Sequence, residues 1–144
     1  TSRPDGSTMY YADSLAKRVW AYDYDPANGQ RANVRILNDF TDLPGTADGA
    51  TVDADGCYWI ACVFGSAIAR LTPGGSVDRI VELPVDKPTK PAFGGPDLDV
   101  LFVTSIGGGG SHPRYDDPGL NGRLLALDVG VTGVPEPMMP HSGT

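Results

Sequence analysis

Two histidines and two cysteines are all that the 144 residues offer for imidazole or thiolate chemistry. His112 and His141 stand alone in loop-like and tail-like sequence, each without a paired partner. No Ser-His-Asp set can be assembled: Gly-x-Ser-x-Gly is missing, and Ser105 and Ser111 have no neighbouring base. Cys57 and Cys62 lie in one apolar run, where an extended backbone points them to opposite faces and too far apart to bond. They read as two buried free thiols, which fits the cytosol better than a redox or metal role. Basic residues are also scarce, 11 Lys and Arg against 18 Asp and Glu, and the net charge of -7 repels phosphate backbones and anionic lipid. Neither nucleic acid nor a membrane surface is an expected partner. No apolar run approaches the roughly 18 residues that cross a bilayer, and the first residues lack the layout of a secretory signal. The expected location is cytoplasmic.

Helical signals are nearly absent too. Only Asp13 to Lys17 could make a helical turn, because 19 glycines and 13 prolines interrupt every longer window. What the chain has instead is a repeat. Met9-Tyr-Tyr-Ala-Asp13 lines up with Tyr58-Trp-Ile-Ala-Cys62 and with Leu101-Phe-Val-Thr-Ser105, and Asp5-Gly6 and Asp55-Gly56 precede the first two. A second apolar strand follows each: Val19 to Tyr24, Ile68 to Leu71 and Leu124 to Leu127. Copies recur every 45 to 55 residues or so, and four short strands in about that length mark a β-propeller blade.

The middle copy is expected to hold strands at Ala50 to Asp53, Cys57 to Val63, Ala67 to Thr72 and Val77 to Leu83. The third holds Lys90 to Gly94, Val100 to Ser105, Arg123 to Val129 and a weak outer segment near Val131 to Pro137. The first has Thr8 to Asp13, Arg18 to Tyr24 and Arg31 to Phe40, while Thr1 to Asp5 is too short and turn-like for an inner strand. Residues 1–43 are therefore read as a partial blade and 44–86 as a complete one. Residues 87–137 form a blade with a long insertion at 106–122, and 138–144 a tail. Fewer than about four blades cannot close a ring, so the expectation is an all-β partial propeller of about three blades, part of a longer one. A self-sufficient β-sandwich is the other reading.

Several segments in order resemble the regucalcin/SMP-30/gluconolactonase group of six-bladed propellers. They are Arg3-Pro-Asp-Gly-Ser-Thr-Met-Tyr-Tyr-Ala-Asp-Ser14, Tyr22-Asp-Tyr-Asp25 with Asn28-Gly29, and Ala47-Asp-Gly-Ala-Thr-Val-Asp-Ala-Asp-Gly56. Tyr58-Trp-Ile-Ala61, Leu83-Pro-Val-Asp-Lys-Pro-Thr89 and Phe93-Gly-Gly95 continue the match, which covers about Arg3 to Ser105 and falls in the family's C-terminal half. The resemblance implies a divalent-metal-dependent lactonase that hydrolyses small sugar lactones, with calcium or zinc as the ion, or magnesium or manganese. It also implies Asp48 as metal ligand and candidate general base, with Ala47 where the family has proline. The family's Glu ligand has no counterpart here and its Asn ligand would lie just before Thr1, so the missing N-terminal half of the ring is an implied partner. A fragment alone is expected to be inactive. A calcium-binding or protein-interaction propeller without catalysis is the alternative, and a propeller hydrolase without this metal is a second.

Other candidates carry less. Asp5-Gly6 and Asp55-Gly56 read as hairpin turns, and Asp53 with Asp55 only loosely suggests a calcium loop because the downstream Glu is absent. Gly107 to Gly110, followed by Ser111, His112, Arg114, Tyr115, Asp116 and Asp117, reads as a loop, not a phosphate cradle, since no Lys-Ser/Thr or helix follows. Trp20, Trp59, Tyr22, Tyr24 and Phe102 read as packing between blades. Lys87 or Lys90 could face a sugar hydroxyl or an anionic product.

Overall fold

The computed structural model describes residues 1–107 and 119–136 and contains strands and turns but no helix among them. Three antiparallel sheets stand side by side. The first is β1 (Thr8–Asp13), β2 (Arg18–Asp25) and β3 (Gln30–Asn38), in that order from the inside. The middle sheet runs β4 (Thr46–Val52), β5 (Tyr58–Val63), β6 (Ala67–Leu71), β7 (Val77–Glu82). The third runs β8 (Pro88–Gly94), β9 (Val100–Ser105), β10 (Leu125–Asp128). Inner strand β4 touches β1 on one side and β8 on the other. Three sheets in sequence, not two face to face, make this a partial propeller and remove the sandwich reading.

Packing follows the two-residue period of the strands. Tyr58, Ile60 and Cys62 of β5 and Ala67, Ala69 and Leu71 of β6 join Tyr10, Val19 and Ala21 of the first sheet in one core. The residues between them, Trp59 and Ile68, join Leu101 and Val103 of the third sheet in a second core with Leu83 and Val85. Both faces of β5 and β6 are thus covered, and every residue of the two strands is buried. The outer strand β3 is instead polar and exposed over most of its length, as an edge must be to discourage further pairing. Of the aromatic residues assigned to packing between blades, Trp59 meets Phe93 of the third sheet edge-on at 6.3 Å. Trp20 and Tyr22 lie instead under the guanidinium groups of Arg18 and Arg31.

Three expectations need correction. The inner strand of the middle sheet begins at Thr46, not Ala50, because it accommodates an irregularity between Ala47 and Ala50. Thr1 to Asp5 forms no strand, as expected, and meets β1 only through an isolated bridge between Ser2 and Met9 and backbone bonds from Tyr10 N to Thr1 O and from Arg3 N to Thr8 O. Residues 131–136 form no outer strand on the third sheet. After a turn at Gly130 (φ 68°) the chain crosses to the middle sheet, where Gly133 bridges Asp53 and Thr132 O accepts from Ala54 N. Arg79 Nη1 holds Val129 O at 2.9 Å on the same path. The possible helical turn at Asp13 to Lys17 is an ordinary turn at residues 14–17, capped by Asp13 Oδ1 accepting from Ala16 N.

Candidate functional site

Asp48 owes its position to the irregularity in β4. The ladder to β5 pairs Ala47 with Cys62 and then Ala50 with Ile60, so Asp48 and Gly49 are left out as a bulge. A bulge twists its strand and re-aims a side chain, and here it frees the Asp48 carboxylate from the alternation that buries its neighbours Ala47 and Ala50. Gly49 is required for the approach of β8: a Cβ there would lie 2.6 Å from Thr89 O and 2.7 Å from Lys90 Cδ. On the other side, Ser14 Oγ donates to Ala47 O at 2.6 Å and ties the β1–β2 turn to the start of β4.

These elements enclose an open cleft of about 340 Å³, lined by Asp48, Gly49, Tyr10, Tyr58, Ser14 and Lys90 among others. Burial raises the Asp48 carboxyl above its ordinary value, partly offset by the Gly49 N–H. The Tyr10 and Tyr58 rings meet at 4.9 Å, tilted by 52°, and burial pushes both phenols up, so they stay protonated at neutral pH. A larger hollow of about 510 Å³ lies at the other end of β4, between the first residues and residues 134–136. It contains neither Asp48 nor a lysine.

Asp48 and Lys90 are thus brought together, whereas Lys87 lies over the Phe64 ring at 5.5 Å. Asp53 and Asp55 are occupied elsewhere. The Asp53 carboxylate, fully buried, accepts from the backbone of Asp55 and Cys57, from Trp59 Nε1 at 2.8 Å and from Arg70 Nε at 2.8 Å. Arg70 also pairs with Asp55 at 2.7 Å and Asp78 at 3.1 Å, so this turn is held by a guanidinium. The turns at Gly6 and Gly56 are as expected, both at positive φ. Cys57 and Cys62 are free and buried. His112, His141, Ser111, Arg114, Tyr115, Asp116, Asp117 and residues 108–110 lie outside the described residues. The tyrosine wall was not anticipated; its only trace in the sequence is that Tyr58 shares strand parity with Ile60 and Cys62.

Among the described residues no group of three or more His, Cys, Asp or Glu side chains could hold a metal. Among the described residues Asp48 is the one carboxylate lining the cleft, and a hard divalent cation takes six or more oxygens, so these donors fit one corner of such a shell.

Comparison with known proteins places the chain in a family. Residues 2–107 match the family described as SMP-30/Gluconolactonase/LRE-like region. The chain is 37% identical to regucalcin of Xenopus laevis over 132 residues, covering 90% of this chain and 44% of that protein. It is 36% identical over 136 residues to 6-deoxy-6-sulfogluconolactonase of Pseudomonas putida, covering 94% of this chain and 46% of the other. The crystal structure of a calcium-binding protein, regucalcin, from Agrobacterium tumefaciens superposes with a TM-score of 0.82 at 30% identity, over 95% of this chain and 47% of that one. The chain therefore spans a little under half the length of these relatives. With the sheets arranged as in that structure and the match running through the Asp48 bulge, the chain belongs to the SMP-30/gluconolactonase/LRE-like family.

Proposed function

We propose that the protein of which this chain forms sectors is a divalent-metal-dependent lactonase acting on small sugar lactones, with Asp48 as metal ligand and general base. The observation that carries this reading is the Asp48 carboxylate, held out of the β4 ladder by a bulge and turned to a cleft at the ends of the inner strands. Lactone hydrolysis adds water to the carbonyl carbon, breaks the ring C–O bond and releases a hydroxy acid. When bound, the ion supplies polarisation of the carbonyl and acidification of a water. The Asp48 carboxylate takes the proton that the water loses. Tyr10 and Tyr58, packed against each other, back the cleft with aromatic rings. The remaining ligands come from the part of the ring that this chain does not span, which makes that part the chain's first partner. The ion is calcium or zinc in preference to magnesium or manganese.

The chain alone, with one corner of the shell, is expected to show no turnover. The free buried thiols support a reducing, cytoplasmic setting. Among the described residues no helix is long and apolar enough to cross a membrane. A pH-stat assay of the full-length protein against a panel of sugar lactones, with and without chelator, tests the reading. Turnover lost on chelation and in Asp48→Ala supports it, and equal activity in that variant removes the site. The second reading, a calcium-binding propeller without catalysis, is favoured by the similarity to the calcium-binding protein regucalcin of Agrobacterium tumefaciens. It predicts chelator-sensitive stability with no lactone turnover in the same assay.

A further inference from the structure

Lys90 stands in the same cleft as Asp48 yet makes no ion pair among the described residues. Its stem lies against Gly49, where a side chain would collide with Lys90 Cδ, and its Nζ donates to Ala50 O. One carbonyl engages one of three ammonium donors, so two remain for a ligand. The residue stays accessible to solvent. Desolvation by the cleft lowers its pKa, slightly countered by Glu136, so an anionic ligand would relieve a strained cation. With a net charge of -7 this chain repels anions, and a local cation is what lets one settle.

We propose that Lys90 is the carboxylate-recognition group of this cleft, a positioning residue that holds the acid group of a sugar acid. The proposal rests on the lactonase reading. The carboxylate has two sources: the one created at the reacting carbon when the lactone opens, or an acidic substituent already carried by the substrate.

The test is calorimetric titration of the full-length protein and of Lys90→Met and Lys90→Arg with sodium gluconate, and with glucitol as a neutral control. The expected result in Lys90→Met is about tenfold weaker gluconate binding, the size of one charge-assisted hydrogen bond, with glucitol binding unchanged and gluconate binding retained in Lys90→Arg. Unchanged affinity in Lys90→Met for both gluconate and glucarate, which carries an acid group at each end, or equal weakening of these and glucitol, overturns the proposal. Steady-state kinetics then separate the sources. A loss of kcat/KM confined to lactones bearing a second acid group assigns the substituent, and a loss confined to product inhibition by gluconate assigns the new carboxylate. Failure of the lactonase reading shows up separately, as absent turnover in the unmodified protein, while the gluconate titration still reports on Lys90.

Discussion

At the scale of single residues, Asp53 does structural work that its place in an Asp-Ala-Asp-Gly turn conceals. Its two oxygens hold the turn, the Trp59 indole and the Arg70 guanidinium together, and Arg70 stays charged because its hydrogen bonds to Asp53 and Asp78 outweigh its burial. Asp53→Ala leaves a buried cation without its main partner and is expected to cost about 3–5 kcal/mol, read as a lower urea midpoint. Asp86 is the opposite case: it is 3% exposed, with neither carboxylate oxygen hydrogen-bonded among the described residues. Asp86→Asn keeps the size of this side chain, and a urea midpoint equal to or higher than the parent's is expected; a loss of more than about 1 kcal/mol of stability would reveal a partner beyond the described residues. Cys62 is pushed up to about 12 from an ordinary 9.0 by burial. The unfolded chain therefore loses this proton first as pH rises, and stability declines between those two values. Cys62→Ala should flatten that part of the alkaline stability profile. In the native protein at neutral pH, Cys62 should not react with a thiol reagent until unfolding. The burial of both thiols was legible from their apolar run. The Asp53 network was not, because Arg70 lies on another strand and nothing local announces it.

At the scale of elements, strand identity came readily from apolar runs bounded by Gly, Pro and Asp, but the β4 bulge did not. An Asp-Gly pair reads as the turn before a strand, and only the ladder to β5 reveals that Ala47 is already paired with Cys62. Asp48 could still be singled out, since the segment around it carried the family resemblance. Gly49 tests the geometry directly. Gly49→Ala puts a methyl group 2.6 Å from Thr89 O, so β4 and β8 must separate, at an expected cost of about 1–3 kcal/mol together with a displaced Asp48. A crystal structure of the variant with β4 and β8 unmoved would refute the account. The crossing at 131–136 was misread as an outer strand for a related reason. Its partner is Asp53, far away in sequence, and Gly133 fits only because a side chain there would lie 2.3 Å from Phe93 Cβ.

For the molecule as a whole, the two cores lie between sheets rather than within any one of them, so each sheet depends on its neighbour. Trp59→Ala is expected to cost about 3–5 kcal/mol and to loosen the third sheet from the middle one, which amide exchange would show as lost protection in β9 ahead of β2. An arc also has two ends. We expect the chain on its own to associate or melt without cooperativity, and sedimentation with circular dichroism decides; a compact monomer with one sharp transition would count against a requirement for further blades.

The alternation along β5 has one more consequence, for what mutation can do to this chain. Tyr58, Ile60 and Cys62 serve a seam floored by Ala21, Ala67 and Ala69, while Trp59 serves one built from Ile68, Leu83 and Leu101. Inserting a single amino acid just before Tyr58 would exchange the clients of both seams at once, driving the indole into the narrow alanine side and the phenol into the wide one. Length variation in this lineage should therefore accumulate in the hairpin tips and spare the reading phase of the middle strand.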